Sequence, residues 1–179
     1  MRWILGTVEA LPALKVDVVT MTGNVAQVFV DDGEWVSVLE TARAALAPSG
    51  RLVFESRDPA RVAWRDWTPQ DSRRRLESSD GGGVTATVEV TVDAPPLVTF
   101  RWKFAFDDGT TLTSDSTLRF RGIAELSETL RAAGFDVEDV TGAPDRPGHE
   151  IVVVARPRPV GRCAGERTRT SKGQGPTGT

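Results

Sequence analysis

One stretch limits the fold more than any other: residues 15–59, KVDVVTMTGNVAQVFVDDGEWVSVLETARAALAPSGRLVFESRDP. Lys15–Thr20 is short and rich in β-branched residues, which predicts a strand. Thr22-Gly23-Asn24 ends it, and Asp31 or Asp32 is placed to cap a helix. Within that helix Trp35, Val38, Leu39, Ala42, Ala45 and Leu46 recur at three and four, forming one apolar stripe. Pro48-Ser49-Gly50 stops it, and Arg51–Glu55 is apolar enough for a buried strand. A strand, a helix and a second strand at this spacing make a βαβ unit with parallel strands. In such sheets ligands bind beyond the carboxyl ends of the strands, so residues 21–27 and 56–58 face the expected site.

The flanking segments are of different kinds. Arg2–Leu5 reads as a short apolar strand. Asp58-Pro59 predicts a helix running to about Trp67, with Trp64 and Trp67 either packing it or walling a ligand. Arg73-Arg74-Arg75 reads as a solvated face, with a substrate carboxylate as the alternative partner. Gly81-Gly82-Gly83 reads as a flexible turn. From Val84 the period changes to two: Val84, Ala86, Val88, Val90 and Val92, then Phe100, Trp102, Phe104 and Phe106, then Leu112, Leu118 and Phe120. Ala94-Pro95-Pro96 and Asp107-Asp108-Gly109 supply the turns. Residues 84–121 are thus a three-stranded antiparallel meander. Glu125–Ala133 follows as a helix closed by Gly134, and Phe135–Val140 and Glu150–Ala155 form a final hairpin.

In order and spacing, the strand leading into MTGNVAQVF, the helix ending LAPSGRLVFES and the later AAGFDVEDV resemble the second half of class I S-adenosylmethionine-dependent methyltransferases. Their helix-to-strand turn usually reads L-x-P-G-G; here Ser49 replaces one Gly. The resemblance runs from Arg2 to about Arg156 and implies an α/β fold. That fold is a partial Rossmann-like methyltransferase sheet with an inserted meander and a terminal antiparallel hairpin. It divides the chain into a methyltransferase domain at 1–156 and a basic, disordered tail at 157–179. The matched region begins at the family's third strand. The family's G-x-G-x-G loop and ribose-gripping acid lie upstream of that point, so the expectation is an N-terminally truncated chain, through a misplaced start, with impaired cofactor binding. In the family's sheet the first strand lies beside the fourth, here Lys15–Thr20. Its absence predicts an open edge suited to self-association or to a partner chain.

The resemblance also implies site residues. Thr7 and Val8 match the adenine edge, where the family carries an Asp; the Thr7 hydroxyl makes a weaker acceptor than a carboxylate. A plain turn is the competing reading there. Met21, Thr22 and Asn24 match positions beside the methionine portion and methyl group of the donor, S-adenosylmethionine. Arg57, Arg101 and Trp102 are candidate contacts to a small-molecule methyl acceptor. The meander matches the lid that small-molecule methyltransferases place over the donor pocket; packing on the main sheet is the alternative. A non-catalytic half-domain that binds a partner through the open edge is the competing function. No catalytic residue is assigned.

Composition removes other classes. From Arg156 onward there are six basic residues and one acid, so the remainder carries −8 of the net −3, unsuited to nucleic acid. No run is long enough to span a membrane. One His and one Cys give no metal-ligand spacing, and neither a P-loop nor G-x-S-x-G occurs. His149 reads as a surface residue. Cys163 alone makes no intramolecular disulfide and fits a reducing, cytoplasmic setting.

Overall fold

A computed structural model describes residues 3–77 and 82–159. The tail expected to be disordered from 157 begins in order, since Pro157 pairs with Phe135 and Arg158 Nη2 donates to the Phe135 carbonyl at 3.0 Å; residues 160–179, with Cys163, lie outside the described residues, as do Arg2 and Gly81. Among the described residues, two four-stranded sheets, two α-helices and four 3-10 turns make up the fold. The first sheet has the order β1-β2-β8-β7, from Val16–Met21, Leu46–Arg57, Glu150–Pro157 and Phe135–Gly142. β1 pairs with β2 in parallel, Val18 opposite Arg51 and Met21 opposite Phe54. β8 then runs antiparallel to both β2 and β7. The carboxyl ends of β1 and β2 and the first residue of β8 therefore lie at one end of the sheet, with Arg57 directly opposite Glu150.

Helix α1 (Asp32–Ala45) crosses from β1 to β2. Its N-cap is Asp31, whose side chain accepts from the Glu34 N–H at 3.0 Å. The predicted stripe is the buried one: Trp35, Val38, Leu39 and Ala42 join Leu52, Phe54, Leu126, Leu130, Phe135 and Val153 in the main core. Pro48-Ser49-Gly50 does not separate helix from strand. The helix ends at Ala45, β2 opens at Leu46, and the register with β1 jumps from Leu46 to Arg51 around those residues. Gly50 is needed there, because a Cβ would sit 3.0 Å from the Asp17 carbonyl. Helix α2 (Ile123–Ala132) packs Leu126 and Leu130 into the same core, and Gly134 follows it at φ 84°.

The second sheet has the order β3-β4-β5-β6: Arg74–Glu77, Gly83–Ala94, Leu97–Phe106 and Thr111–Arg119. The meander is therefore four-stranded. The arginine run read as a solvated face contributes its edge, exposed throughout, with Arg75 forked onto Asp107 at 2.7 and 2.9 Å. Gly83 is buried as the first residue of β4.

Two further expectations are corrected. Residues 3–5 form no strand; Trp3 and Leu5 are exposed coil. The predicted helix from Asp58 to Trp67 is two 3-10 turns, Pro59–Arg61 and Ala63–Asp66. Val62 between them is in the left-handed region at φ 50°, which interrupts helical hydrogen bonding. Those turns bring Val62, Trp64 and Trp67 onto the meander, where Trp64 forms a second core with Val98, Leu118 and Phe120. Among the described residues no helix is long and apolar enough to cross a membrane.

Leu39 is fully buried. Leu39→Ala is expected to lower unfolding free energy by roughly 3 kcal/mol, read as a reduced urea midpoint with an unchanged m-value.

Candidate functional site

The loop leaving β1 is held by side chains from the next two strands of the sheet, β2 and β8. The Glu55 carboxylate, near the end of β2, accepts from the backbone N–H of Gly23 and, at 3.3 Å, from that of Asn24. Parallel pairing makes this possible, since Met21 stands opposite Phe54. Asn24 is left-handed at φ 60°, a conformation Asn tolerates better than most residues. Its Nδ2 donates to Glu150 Oε1 at 2.9 Å, and Arg146 Nη1 donates to the same oxygen at 2.8 Å. Asn24 and Glu150 are both buried. One residue pair further along, Arg57 Nη1 donates to Gln27 Oε1 at 3.0 Å. The loop is thus tied to β2 twice and to β8 once.

Beside this network lies a cavity of about 430 Å³, lined by Arg57, Ala63, Asp145, Arg146, His149 and Glu150. Its far wall is the β7–β8 loop, anchored where the Asp58 N–H donates to the His149 carbonyl at 3.1 Å. The Arg57 guanidinium lies over Trp67, 5.5 Å from the ring centroid. Burial, the largest influence, lowers its affinity for its proton; Glu150 opposes that, Arg146 adds to it and Glu55 opposes it.

The other expected site residues are distributed unevenly. Met21 is buried in the main core and Thr22 is exposed at the end of β1. Thr7 and Val8 line a different cavity, of about 420 Å³, together with Phe29 and the α1 residues Glu34, Ser37 and Val38. Arg101 is exposed in β5 and forked onto Asp115 at 2.6 and 2.8 Å. Trp102 points to the other face of the meander, stacked with Phe104 and under the Arg74 guanidinium. Neither Arg101 nor Trp102 lines either cavity. Sequence reasoning missed Glu55, Arg146 and Glu150, and gave Gln27 a place in the loop facing the site but no role. The usable signal was register: a carboxylate near the end of a strand parallel to β1 must stand beside the loop that leaves β1. His149 lines the cavity through the β7–β8 loop. Among the described residues no group of three or more His, Cys, Asp or Glu is placed to hold a metal.

The overall fold matches solved structures. A S-adenosylmethionine-dependent methyltransferase from Clostridium acetobutylicum ATCC 824 superposes with a TM-score of 0.65 at 12% identity, over 86% of this chain and 63% of that one. The CcbJ methyltransferase from Streptomyces caelestis gives 0.64 at 18%, over 87% and 63%. The sugar N-methyltransferase KedS8 from Streptoalloteichus sp ATCC 53650 gives 0.63 at 16%, over 88% and 60%. The fold is that of S-adenosylmethionine-dependent methyltransferases. The chain spans 60–63% of the length of these three structures. No family model matches the sequence, and no curated protein does.

Within this methyltransferase fold, Glu55 is the residue that fixes the loop after β1. Glu55→Gln is expected to leave the sheet intact and to speed amide exchange at Gly23 and Asn24 by about tenfold or more, because a charge-assisted bond gives way to a neutral one. Hydrogen-exchange mass spectrometry over residues 21–29, against the unchanged β4–β6 strands, reads this out.

Proposed function

We propose that the chain forms the acceptor side of a small-molecule methyltransferase whose donor is S-adenosylmethionine. The observation that carries this reading is the hydrogen bond from Asn24 to Glu150, which makes the loop after β1 and the Arg57 cavity one continuous site. The neighbours named as methyltransferases, including one named for sugar N-methylation, support the reading through their fold.

The residues present fit the donor on two counts. Asn24 Oδ1 is buried with no partner among the described residues, so it is available to accept from the donor's ammonium group. Glu55 places a carboxylate directly behind the loop, a field that favours a cationic ligand. When bound, the donor supplies an electrophilic methyl group on a sulfonium. The chain supplies alignment and a dry setting. Glu55 fixes the loop, Met21 anchors its start in the core, and Thr22 offers a hydroxyl beside it. Thr7 and Val8 serve the adenine edge, with the Thr7 hydroxyl a weaker acceptor than a carboxylate. The meander, residues 84–121, acts as the lid, with Trp67 as its seam: that ring meets Phe100 of β5 at 5.0 Å and lies under Arg57. Arg57 faces the acceptor.

Donor binding to this chain is expected to be weak. Strand β1 is the edge of its sheet, so the loop after it is braced from one side only. Titration with millimolar S-adenosylmethionine should shift backbone amide signals in 21–27 and at Glu150, and Asn24→Ala should abolish those shifts. Calorimetric saturation at micromolar donor overturns the expected weakness; the absence of shifts at those residues overturns the transferase reading.

A second reading rests on that same edge. Among the described residues strand β1 pairs with β2 alone, and Val18 is 54% exposed. In this reading the chain is a non-catalytic half-domain that associates, with itself or a partner, through β1. A purified chain then sediments as an oligomer with slow exchange at Val16–Met21. A monomer with freely exchanging β1 amides removes this reading.

A further inference from the structure

The cavity beside Arg57 has a definite electrostatic character. Arg146 is matched: Glu150 accepts from it at 2.8 Å and Asp145 stands 3.9 Å away. Arg57 is not matched. Glu150 and Glu55 are near enough to favour its charge, yet among the described residues no carboxylate comes within ion-pair distance of it. Among the described residues its one side-chain acceptor is Gln27 Oε1. That bond fixes the Gln27 amide, because a reversed amide would set two donors against each other. The buried Gln27 Nε2 is then left as a donor with no partner among the described residues. The cavity wall at Arg57 therefore carries a guanidinium with no carboxylate partner among the described residues, braced by the Gln27 amide, which lies outside the lining. Trp67 beneath the guanidinium holds its plane in place before anything binds.

We infer that this cavity takes the anionic end of its ligand, a carboxylate or a phosphate monoester, forked onto Arg57. The volume, about 430 Å³, suits a small molecule. On the methyltransferase reading, which this inference deepens, the acceptor is an anionic or zwitterionic metabolite. Its charged group sits at Arg57, and its reactive atom lies toward Asn24. A carboxylate and a phosphate monoester both match the fork, since each offers two coplanar oxygens.

The test uses the full chain without methyl donor, so that its outcome is independent of whether the donor binds. Three probes of similar bulk are titrated and followed by backbone amide NMR: phenylacetate, phenyl phosphate and neutral phenylacetamide. Phenylacetate or phenyl phosphate should give saturable shifts at Arg57, Ala63 and His149, with phenylacetamide at least about tenfold weaker. The tighter of the two anions identifies the group. Arg57→Gln should lose about tenfold or more in affinity, and Arg57→Lys, which keeps the charge but not the fork, should fall between. Unchanged signals from β4–β6 certify that the variants fold. Equal binding of the amide, wild-type affinity in Arg57→Gln, or no saturable shift with either anion overturns the inference. Anion binding without any response to S-adenosylmethionine in the earlier titration would remove the transferase reading and leave the anion site standing.

Discussion

The arrangement of the site depends on one carboxylate held against backbone. Glu55 sits near the end of β2, and the loop from β1 wraps its Gly23 and Asn24 N–H groups onto it. A loop with a left-handed non-glycine residue is a poor structure in isolation, because the local conformation costs energy and its amides lack partners. An ionised carboxylate supplies both amides at once, with bonds stronger than neutral ones. Once Asn24 is held, its side chain reaches Glu150, 126 positions away in sequence, and through it Arg146. Parallel pairing of β1 with β2, and antiparallel pairing of β2 with β8, brings those three elements to the same end of the sheet.

Two cores share this frame. The main core lies between the first sheet and its helices; the smaller one lies between the meander and the 3-10 turns. Cations occupy the seams between them. Arg119 donates to the Val30 carbonyl at 3.1 Å and pairs with Asp32 and Glu125 at 2.9 and 3.0 Å, joining β6 to the starts of α1 and α2. Arg121 is buried over the Trp35 ring, 5.3 Å from its centroid, where desolvation is the main influence lowering its proton affinity. Arg57 over Trp67 is a second contact of this kind. A planar guanidinium can lie on an aromatic face and still fork to an oxygen, which a lysine cannot do equally well. The meander is thereby oriented by polar contacts at its rim as well as by apolar packing.

The sequence carried the parts of this fold whose signals are local. The period of α1, the alternation of β4 and β5, Asp107-Asp108-Gly109 and Gly134 each act within a few residues, and each stands where it was expected. The strand β3 was illegible because Arg74–Glu77 is an exposed edge, and an edge strand with charged side chains reads like any solvated loop. The turns after Asp58 share the opening of a helix, Asp then Pro, and diverge only at Val62, whose backbone is set by Trp64 and Trp67 docking on the meander. The segment at residues 3–5 is apolar enough for a strand but has no neighbour to pair with among the described residues. At the site, Asn24 and Arg57 were reachable from their places at strand ends. Glu150, Arg146 and Gln27 were not, because their roles come from pairings across the sheet that no local pattern encodes.

The two cavities differ in what builds them, and that difference bears on what the chain does by itself. The Arg57 cavity is walled by β2, the start of β8, the β7–β8 loop and a 3-10 turn, and its charges are set by groups within those same elements. The cavity at Thr7 and Val8 rests on residues 4–11, coil interrupted by a 3-10 turn at Val8–Ala10, on Phe29 and on one face of α1. Backbone at a sheet edge opens more readily than backbone bonded on both sides. A ligand at Arg57 meets a preorganised site and loses little affinity to ordering; a ligand spanning from Asn24 to Thr7 must first order the edge. On the proposed reading, recognition of an anionic acceptor and recognition of the donor are therefore separable, the former resting on paired strands and the latter on the side of β1 that no strand among the described residues covers.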